Sequence, residues 1–287
     1  MGAPLLNARL LVDQLGRDIH IPDNPKRVIA LAPSITEIIY AIGQEHRLVG
    51  VTQFSDYPPQ ASSLPKVGSY IHLDLERIIA LKPDLCIAVK DGNPHEVALR
   101  VESFHIPLYA VDPRNLEAVM ETIIEIGKLL NAQKEASILA DTMKKRIQKI
   151  TSKTQNIQKR PRVFFQIGIS PIVSVGTHTF IHELIELSGG TNLTKGDVPY
   201  PRYTKEQVIS LSPDVFIITS MARQTIFENV KKEWQQWQSI PAVRNDRIHL
   251  VNSNLFDRAA PRLVDGLELL LELIHPSIWK TVMEPTP

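Results

Sequence analysis

Two stretches decide the fold: Leu75–Val89, LERIIALKPDLCIAV, and Lys205–Thr219, KEQVISLSPDVFIIT. Each sets a glutamate (Glu76, Glu206) seven residues ahead of a Pro-Asp pair (Pro83-Asp84, Pro213-Asp214) and closes on a short apolar run. Proline lacks the N–H a helix needs and biases the residue before it out of the helical region, so each pair ends a short helix. Glu76 and Glu206 then fall in a first helical turn, where the dipole favours a negative charge by about 0.3–1 kcal/mol. The runs after the pairs, DLCIAV and DVFIIT, read as strands buried on both faces, which is the pattern of a parallel sheet.

The same grammar extends outward from both stretches. In the first half RVIAL (27–31) is a strand, and APSITEIIYAIG is a helix with Ser34 or Thr36 at its start and Gly43 as its stop. RLVGVTQ is the next strand, and SDYPPQASSLPKVG is too rich in proline for anything but loop. Asp74 caps the short helix, HEVALRVESFHI is helical, and PLYAVD is a strand. In the second half RVFFQIG, THTFIHELIELSGG, YTKEQVISLSP, DVFIIT and DRIHLVN repeat the order, and APRLVDGLELLLELI is the closing helix. Arg27 aligns with Arg162 and Glu76 with Glu206, at offsets of 135 and 130, which marks a duplication. Between the halves, LEAVMETIIEIGKLLN and AQKEASILADTMKKRIQKITSK are amphipathic helices, the second about 20 residues and so about 30 Å long. The expected fold class is α/β: two lobes with parallel sheets joined by a long bridging helix, with a ligand cleft between the lobes. The expected boundaries are an N-terminal extension over 1–25, an N-terminal lobe over 26–115, a helical segment over 116–155 and a C-terminal lobe over 160–283.

Composition narrows the function. The 287 residues are 43% apolar and 22% charged with net charge +1, which gives no general attraction to nucleic acid or anionic membrane. Lys144, Lys145, Arg146, Lys149 and Lys153 crowd the end of the long helix, but they complement its dipole and lack interleaved aromatics. The 21 prolines against 13 glycines favour stiff connections. One cysteine, Cys86, excludes an internal disulfide and CxxC chemistry, and within DLCIAV it reads as a buried inert thiol. No apolar run has the length of a membrane span, and MGAPLLNARL lacks the features of an export signal.

Ligands of open α/β sheets bind beyond the carboxyl ends of the strands. The loops there hold Tyr57, Tyr200, Tyr203 and Phe256 with Asp257 and Arg258, although aromatics are only 6% of the chain. Such a set suits a large, flat, partly apolar ligand. Catalytic signatures are missing: GISPI lacks the second glycine of a nucleophile elbow, GGTNLTKG lacks phosphate-loop spacing, and no carboxylate pair is placed for acid–base work. No catalytic residue is therefore assigned. His178 and His182 share a helix face at the spacing of a metal pair, but Glu183 is off that face and no third ligand is visible. No metal site is assigned, and His178, at the start of its helix, is read as a ligand contact. The dipole accounts for Glu76 and Glu206 singly; a matched pair also suits docking on a two-fold symmetric, basic partner.

These residues resemble the class III substrate-binding proteins that feed ABC importers for corrinoids, haem and iron–siderophores. DQLGRDIHIPDNPKRVIALAPSITEII carries the likeness to the class. SDYPPQA (55–61), LERIIALKPDL (75–85), GN (92–93), VPYPRYTKEQV (198–208) and FDRAAPR (256–262) carry a closer likeness to its vitamin B12 branch. The resemblance implies two Rossmann-like lobes, limited hinge motion, a corrinoid cargo (cobalamin, cobinamide or a related cobamide), no catalytic cofactor and no enzymatic activity. It implies ligand contacts from Pro33, Ser34, Ile35, Tyr57, Tyr70, Val89, Tyr200, Asn254, Phe256, Asp257 and Arg258, and transporter docking by Glu76 and Glu206. The sequence departs from the branch at several of these. Tyr70 and Tyr200 stand for tryptophans, Val89 for a third tryptophan whose contact does not carry over, Asn254 for aspartate and Asp257 for glutamate. The expected partners are the permease subunits of an ABC transporter and no nucleic acid, with a monomer as the working form. The expected compartment is periplasmic or extracytoplasmic, with a lipid anchor left open. Haem or a ferric siderophore on the same scaffold, or an enzyme that processes corrinoids, are the alternatives; an enzyme would need a titratable cluster that the sequence does not display.

Overall fold

The computed structural model describes residues 8–69, 71–220 and 224–283. The chain divides into two units, one taking residues up to Pro113 with Glu117–Thr142, the other Arg114–Leu116 with Met143 onward. The first contains β1 (Ala8–Val12), β2 (Asp18–Pro22), β3 (Val28–Ala30), α1 (Pro33–Ala41), β4 (Leu48–Val51), α2 (Leu75–Ala80), β5 (Leu85–Val89), α3 (His95–Ser103), β6 (Leu108–Val111) and nearly all of α4 (Leu116–Leu129). Helix α5 (Gln133–Thr154) belongs partly to each. The second contains β7 (Arg162–Gln166), β8 (Ile172–Val173), α6 (Phe180–Leu187), β9 (Thr191–Asn192), β10 (Arg202–Tyr203), α7 (Lys205–Leu211), β11 (Val215–Ser220), α8 (Gln224–Gln235), α9 (Pro241–Arg244), β12 (Ile248–Asn252), α10 (Leu263–Ile274) and α11 (Pro276–Met283).

Each unit has one four-stranded parallel sheet, ordered β4-β3-β5-β6 in the first and β9-β7-β11-β12 in the second. Counted along the chain, both orders are second, first, third, fourth, so the repeat heard in the sequence is a repeat of topology. The first core gathers Ile29, Val67, Ile78, Cys86, Val101 and Leu108; the second gathers Phe164, Val208, Phe216, Ile218, Trp234 and Ile248. Burying one such large side chain contributes about 1.5–3 kcal/mol. Trp234 meets Phe216 at a 45° tilt with ring centroids 4.9 Å apart and satisfies its indole N–H on Gln166 Oε1 at 2.9 Å.

The Pro-Asp pairs act as clamps. In the first unit the backbone N–H groups of Lys26 and Arg27 donate to the Asp84 carboxylate at 2.7 and 2.9 Å, and Asp84 N–H returns a bond to Arg27 O at 2.9 Å. In the second, Arg162 N–H donates to Asp214 Oδ2 at 2.9 Å, and Asp214 N–H donates to Arg162 O at 2.8 Å. Each arginine side chain then caps the carbonyls that the preceding helix leaves open. Arg27 reaches Leu81 O at 2.6 Å and Lys82 O at 3.0 Å; Arg162 reaches Leu211 O at 3.3 Å and also Ser212 O. Lys82 and Ser212 both turn left-handed, at φ 47° and 50°, to let the chain leave the helix. One device, used twice, stops a helix and fixes the start of two neighbouring strands.

Three local expectations need correction. Helix α1 starts two residues earlier than a Ser34 cap implies and four earlier than a Thr36 cap: Ala32 is its N-cap and Pro33 its first residue, because the N–H that proline lacks has no helical partner at that position anyway. Ser34 and Thr36 are buried inside the helix instead. The proline-rich loop contains a 3₁₀ turn, Pro59–Ser63. The chain continues past α10 into α11. The β1–β2 pair has no counterpart among the expected elements; Asp13 closes it by accepting the N–H groups of Leu15 and Arg17, both at 2.9 Å.

Candidate functional site

In the first unit the residues beyond β3 are Pro33, Ser34 and Ile35, the opening turn of α1. Ile35 is 0% exposed and belongs to the core; Ser34 is buried and Pro33 half-buried. The loop beyond β4 rests on buried hydroxyls: Thr52 and Ser55 lie 2.9 Å apart, and Thr36 donates to Ser55 Oγ at 3.0 Å. Lys66 Nζ donates to Ser55 O and Ala61 O, both at 3.0 Å, and burial lowers its pKa. Above this base Tyr57 stands 42% exposed, with Phe54 exposed beside it in sequence. Val89 ends β5 half-buried. Its N–H donates to Asn93 Oδ1, and Asn93 Nδ2 donates to Leu31 O, both at 2.8 Å, so Asn93 ties the ends of β3 and β5 together. That role was missed; its trace in the sequence is Gly92-Asn93 directly after a strand. Tyr70 lies outside the described residues.

In the second unit Asn254 follows β12 in a 3₁₀ turn, with its N–H on Asn252 Oδ1 at 3.0 Å. Phe256 is 1% exposed and meets Phe165 edge-on at 5.3 Å, so its ring lies in the core. Asp257 is exposed and Arg258 half-buried. Tyr200 is 59% exposed on a segment laced to the chain after β8. There β10 pairs with β8, Ser174 N–H donates to Pro201 O at 2.9 Å, and Gly176 N–H donates to Pro199 O at 2.8 Å. A Cβ at Gly176 would stand 2.0 Å from Val198 O, so this close approach requires glycine. His178 is exposed, one residue before Thr179, the N-cap of α6. His178 thus precedes α6, and the shared helix face expected for it and His182 is not formed; His182, inside α6, directs Nδ1 to Asn192 Nδ2 at 3.1 Å. Among the described residues no group of three His, Cys, Asp or Glu is placed to hold a metal ion.

Glu76 and Glu206 are each the second residue of their helix, α2 and α7, and both are exposed. Asp74 caps α2 through Arg77 N–H, and Thr204 caps α7 in a reciprocal box with Gln207. The Glu206 carboxyl is held below the usual range by its own backbone N–H, the Thr204 hydroxyl and the Lys205 charge.

Each unit by itself presents an exposed aromatic ring on a loop, Tyr57 in the first and Tyr200 in the second. Such a ring can stack on the face of a flat ligand. A separate groove of about 430 Å³ runs along β12, lined by Lys231, His249, Leu255, Leu269 and Leu273, and holds none of the strand-end residues expected to touch ligand.

The sequence profile of the periplasmic binding protein family matches residues 28–255. The vitamin B12-binding protein of Vibrio campbellii is 32% identical over 249 residues, 86% of this chain and 88% of that protein. Among solved structures, the periplasmic vitamin B12 binding protein BtuF of Vibrio cholerae is similar at a TM-score of 0.77 and 28% identity, covering 92% of this chain and all of that one. The periplasmic heme-binding protein RhuT of Roseiflexus is similar at 0.78 and 25% identity, covering 88% and 98%.

Proposed function

The chain belongs to the periplasmic binding protein family, and from that premise we propose that it is a periplasmic receptor that captures a corrinoid and hands it unaltered to an ABC importer. It is a transport component and not an enzyme. The observation that carries the corrinoid reading is 32% identity with a vitamin B12-binding protein across 86% of this chain. The exposed rings of Tyr57 and Tyr200 at strand ends support it, because a corrin offers a broad face to stack on.

The proposal assigns to corrin contact Pro33, Ser34, Tyr57, Tyr70 and the half-buried Val89 from the first unit. From the second it assigns Tyr200, Asn254, Asp257 and Arg258, with His178 at the margin. Ile35 and Phe256 serve from the core, behind the surface that meets ligand. Val89, and tyrosines in place of tryptophans, leave less ring area, and Asn254 removes a charge; together they favour a corrinoid with a smaller lower base, or cobinamide. Glu76 and Glu206 are proposed to dock on basic residues of the permease subunits. A monomer suffices for this role.

Calorimetry with cyanocobalamin, cobinamide, haem and a ferric siderophore tests the reading. Binding of one or both corrinoids, with cobinamide at least as tight, is the expected result; tight haem binding with no corrinoid binding overturns it. Haem is the second reading, favoured by the likeness to RhuT and by exposed phenols able to serve as axial ligands.

A further inference from the structure

His182 has no part in the function above, yet it lies in a hydrogen-bond network whose protons can be counted. Asn192 is buried, at 1% exposure. Its Oδ1 accepts Thr194 N–H at 3.1 Å, which fixes the orientation of the amide. Its Nδ2 then has two protons and two acceptors: Val175 O at 2.8 Å and His182 Nδ1 at 3.1 Å. A flipped amide would set N–H against Thr194 N–H and oxygen against Val175 O, so the flip is closed. His182 Nδ1 is therefore a bare acceptor, and the ring proton sits on Nε2.

The rest of the network carries the loop. Thr194 Oγ1 lies 2.8 Å from Ser174 Oγ, and Ser174 Oγ donates to Phe165 O at 2.7 Å, which anchors both to the end of β7. From Ser174 onward the chain bonds the Tyr200 segment through Pro201 O, Pro199 O and Gly196 O.

We propose that the His182–Asn192–Thr194–Ser174 network holds the Tyr200 segment only while His182 is neutral, so that one proton taken up at Nδ1 loosens the segment and weakens ligand grip. The effect on grip rests on the corrinoid reading; the effect on the segment does not. A protonated Nδ1 would point N–H at N–H across 3.1 Å, with no alternative acceptor in the Asn192 amide.

The surroundings favour the neutral ring. Burial lowers the His182 pKa first, and Lys195 and His178 lower it further; Glu186 of the same helix opposes them. The Glu186 carboxylate is occupied by Arg160 at 2.9 Å and by Asn192 N–H at 3.1 Å. Helix α10, packed against α6, carries Asp265, Glu268 and Glu272, the first two bonded to Arg146. With the folded pKa below the ordinary histidine value, the network is complete above that value and is lost as pH falls through the lowered one.

The experiment compares the wild-type protein with His182→Asn, whose Oδ1 supplies the acceptor without titrating. Nitrogen-15 NMR of wild type should show Nε2 protonated and Nδ1 bare near neutral pH. Between about pH 7.5 and about pH 5, hydrogen-exchange protection of the Ser174 and Gly176 amides should fall about tenfold in wild type and stay level in His182→Asn. Cobinamide affinity should follow the same two curves. A protonated Nδ1 at neutral pH, or the same protection profile in both proteins, overturns the proposal. If no corrinoid binds at any pH while the amide profiles diverge, the network stands and the corrinoid reading fails.

Discussion

Aspartates 84 and 214 do the same work 130 positions apart, each accepting the N–H of an arginine, Arg27 just before β3 and Arg162 at the start of β7. Replacing either with alanine removes the acceptor and the return geometry around it. Asp84→Ala and Asp214→Ala should each destabilise the folded chain by about 1–2 kcal/mol, read as a lower denaturant midpoint with unchanged slope. The repeat was legible because proline and aspartate announce themselves; the arginine partner, more than 50 positions away in each copy, was legible only as an alignment and not as a bond. Tyr57 and Tyr200 were legible as candidates by type and position. Phe256 was named by the same logic and Ile35 by the family resemblance, yet both side chains lie in the core, which neither route reveals. Tyr57→Ala and Tyr200→Ala should each weaken corrinoid binding by about 0.5–1.5 kcal/mol beyond lost burial, roughly 2- to 13-fold, measured by calorimetry.

At the scale of elements, strands and helices with strong periodicity fell where the pattern put them, from RVIAL to DVFIIT. What escaped was held by tertiary bonds. The β1–β2 pair, closed by Asp13, is tied to the first sheet by Gln14, whose N–H donates to Ala110 O at 3.2 Å and whose Oε1 accepts Asp112 N–H at 2.7 Å, contacts almost 100 positions away. The two-residue strands β8 and β10 escaped because neither has a pattern of its own. Their extension, the ladder from Ser174 to Gly176, depends on a glycine under a carbonyl. Gly176→Ala should force the 196–203 segment outward, cost about 1–3 kcal/mol by overpacking and lower corrinoid affinity; a variant as stable and as tight as wild type would contradict the geometry.

Taken whole, the molecule is one α/β plan written twice, with matching sheet orders and matching helix-to-strand clamps. The glutamates that open α2 and α7 occupy the same place in both copies, exposed at the second helical residue. Charges so placed and so exposed affect encounter with a partner far more than folding. The double substitution Glu76→Ala with Glu206→Ala should weaken association with the importer about tenfold or more, and leave soluble corrinoid affinity unchanged. Reconstituted importer in lipid vesicles measures the first and calorimetry the second. An unaltered importer affinity removes the docking role.

Cys86 lies in the middle strand of the first core at 0% exposure, its thiol pushed up by burial and by Asp84. Thiolate is the reactive form, and here it is both suppressed and out of reach. A cysteine placed at a chosen surface position would be the sole sulfur open to maleimide in the native protein. A reporter dye beside the Tyr200 segment can thus be attached without first deleting anything, and its emission would follow ligand capture in real time.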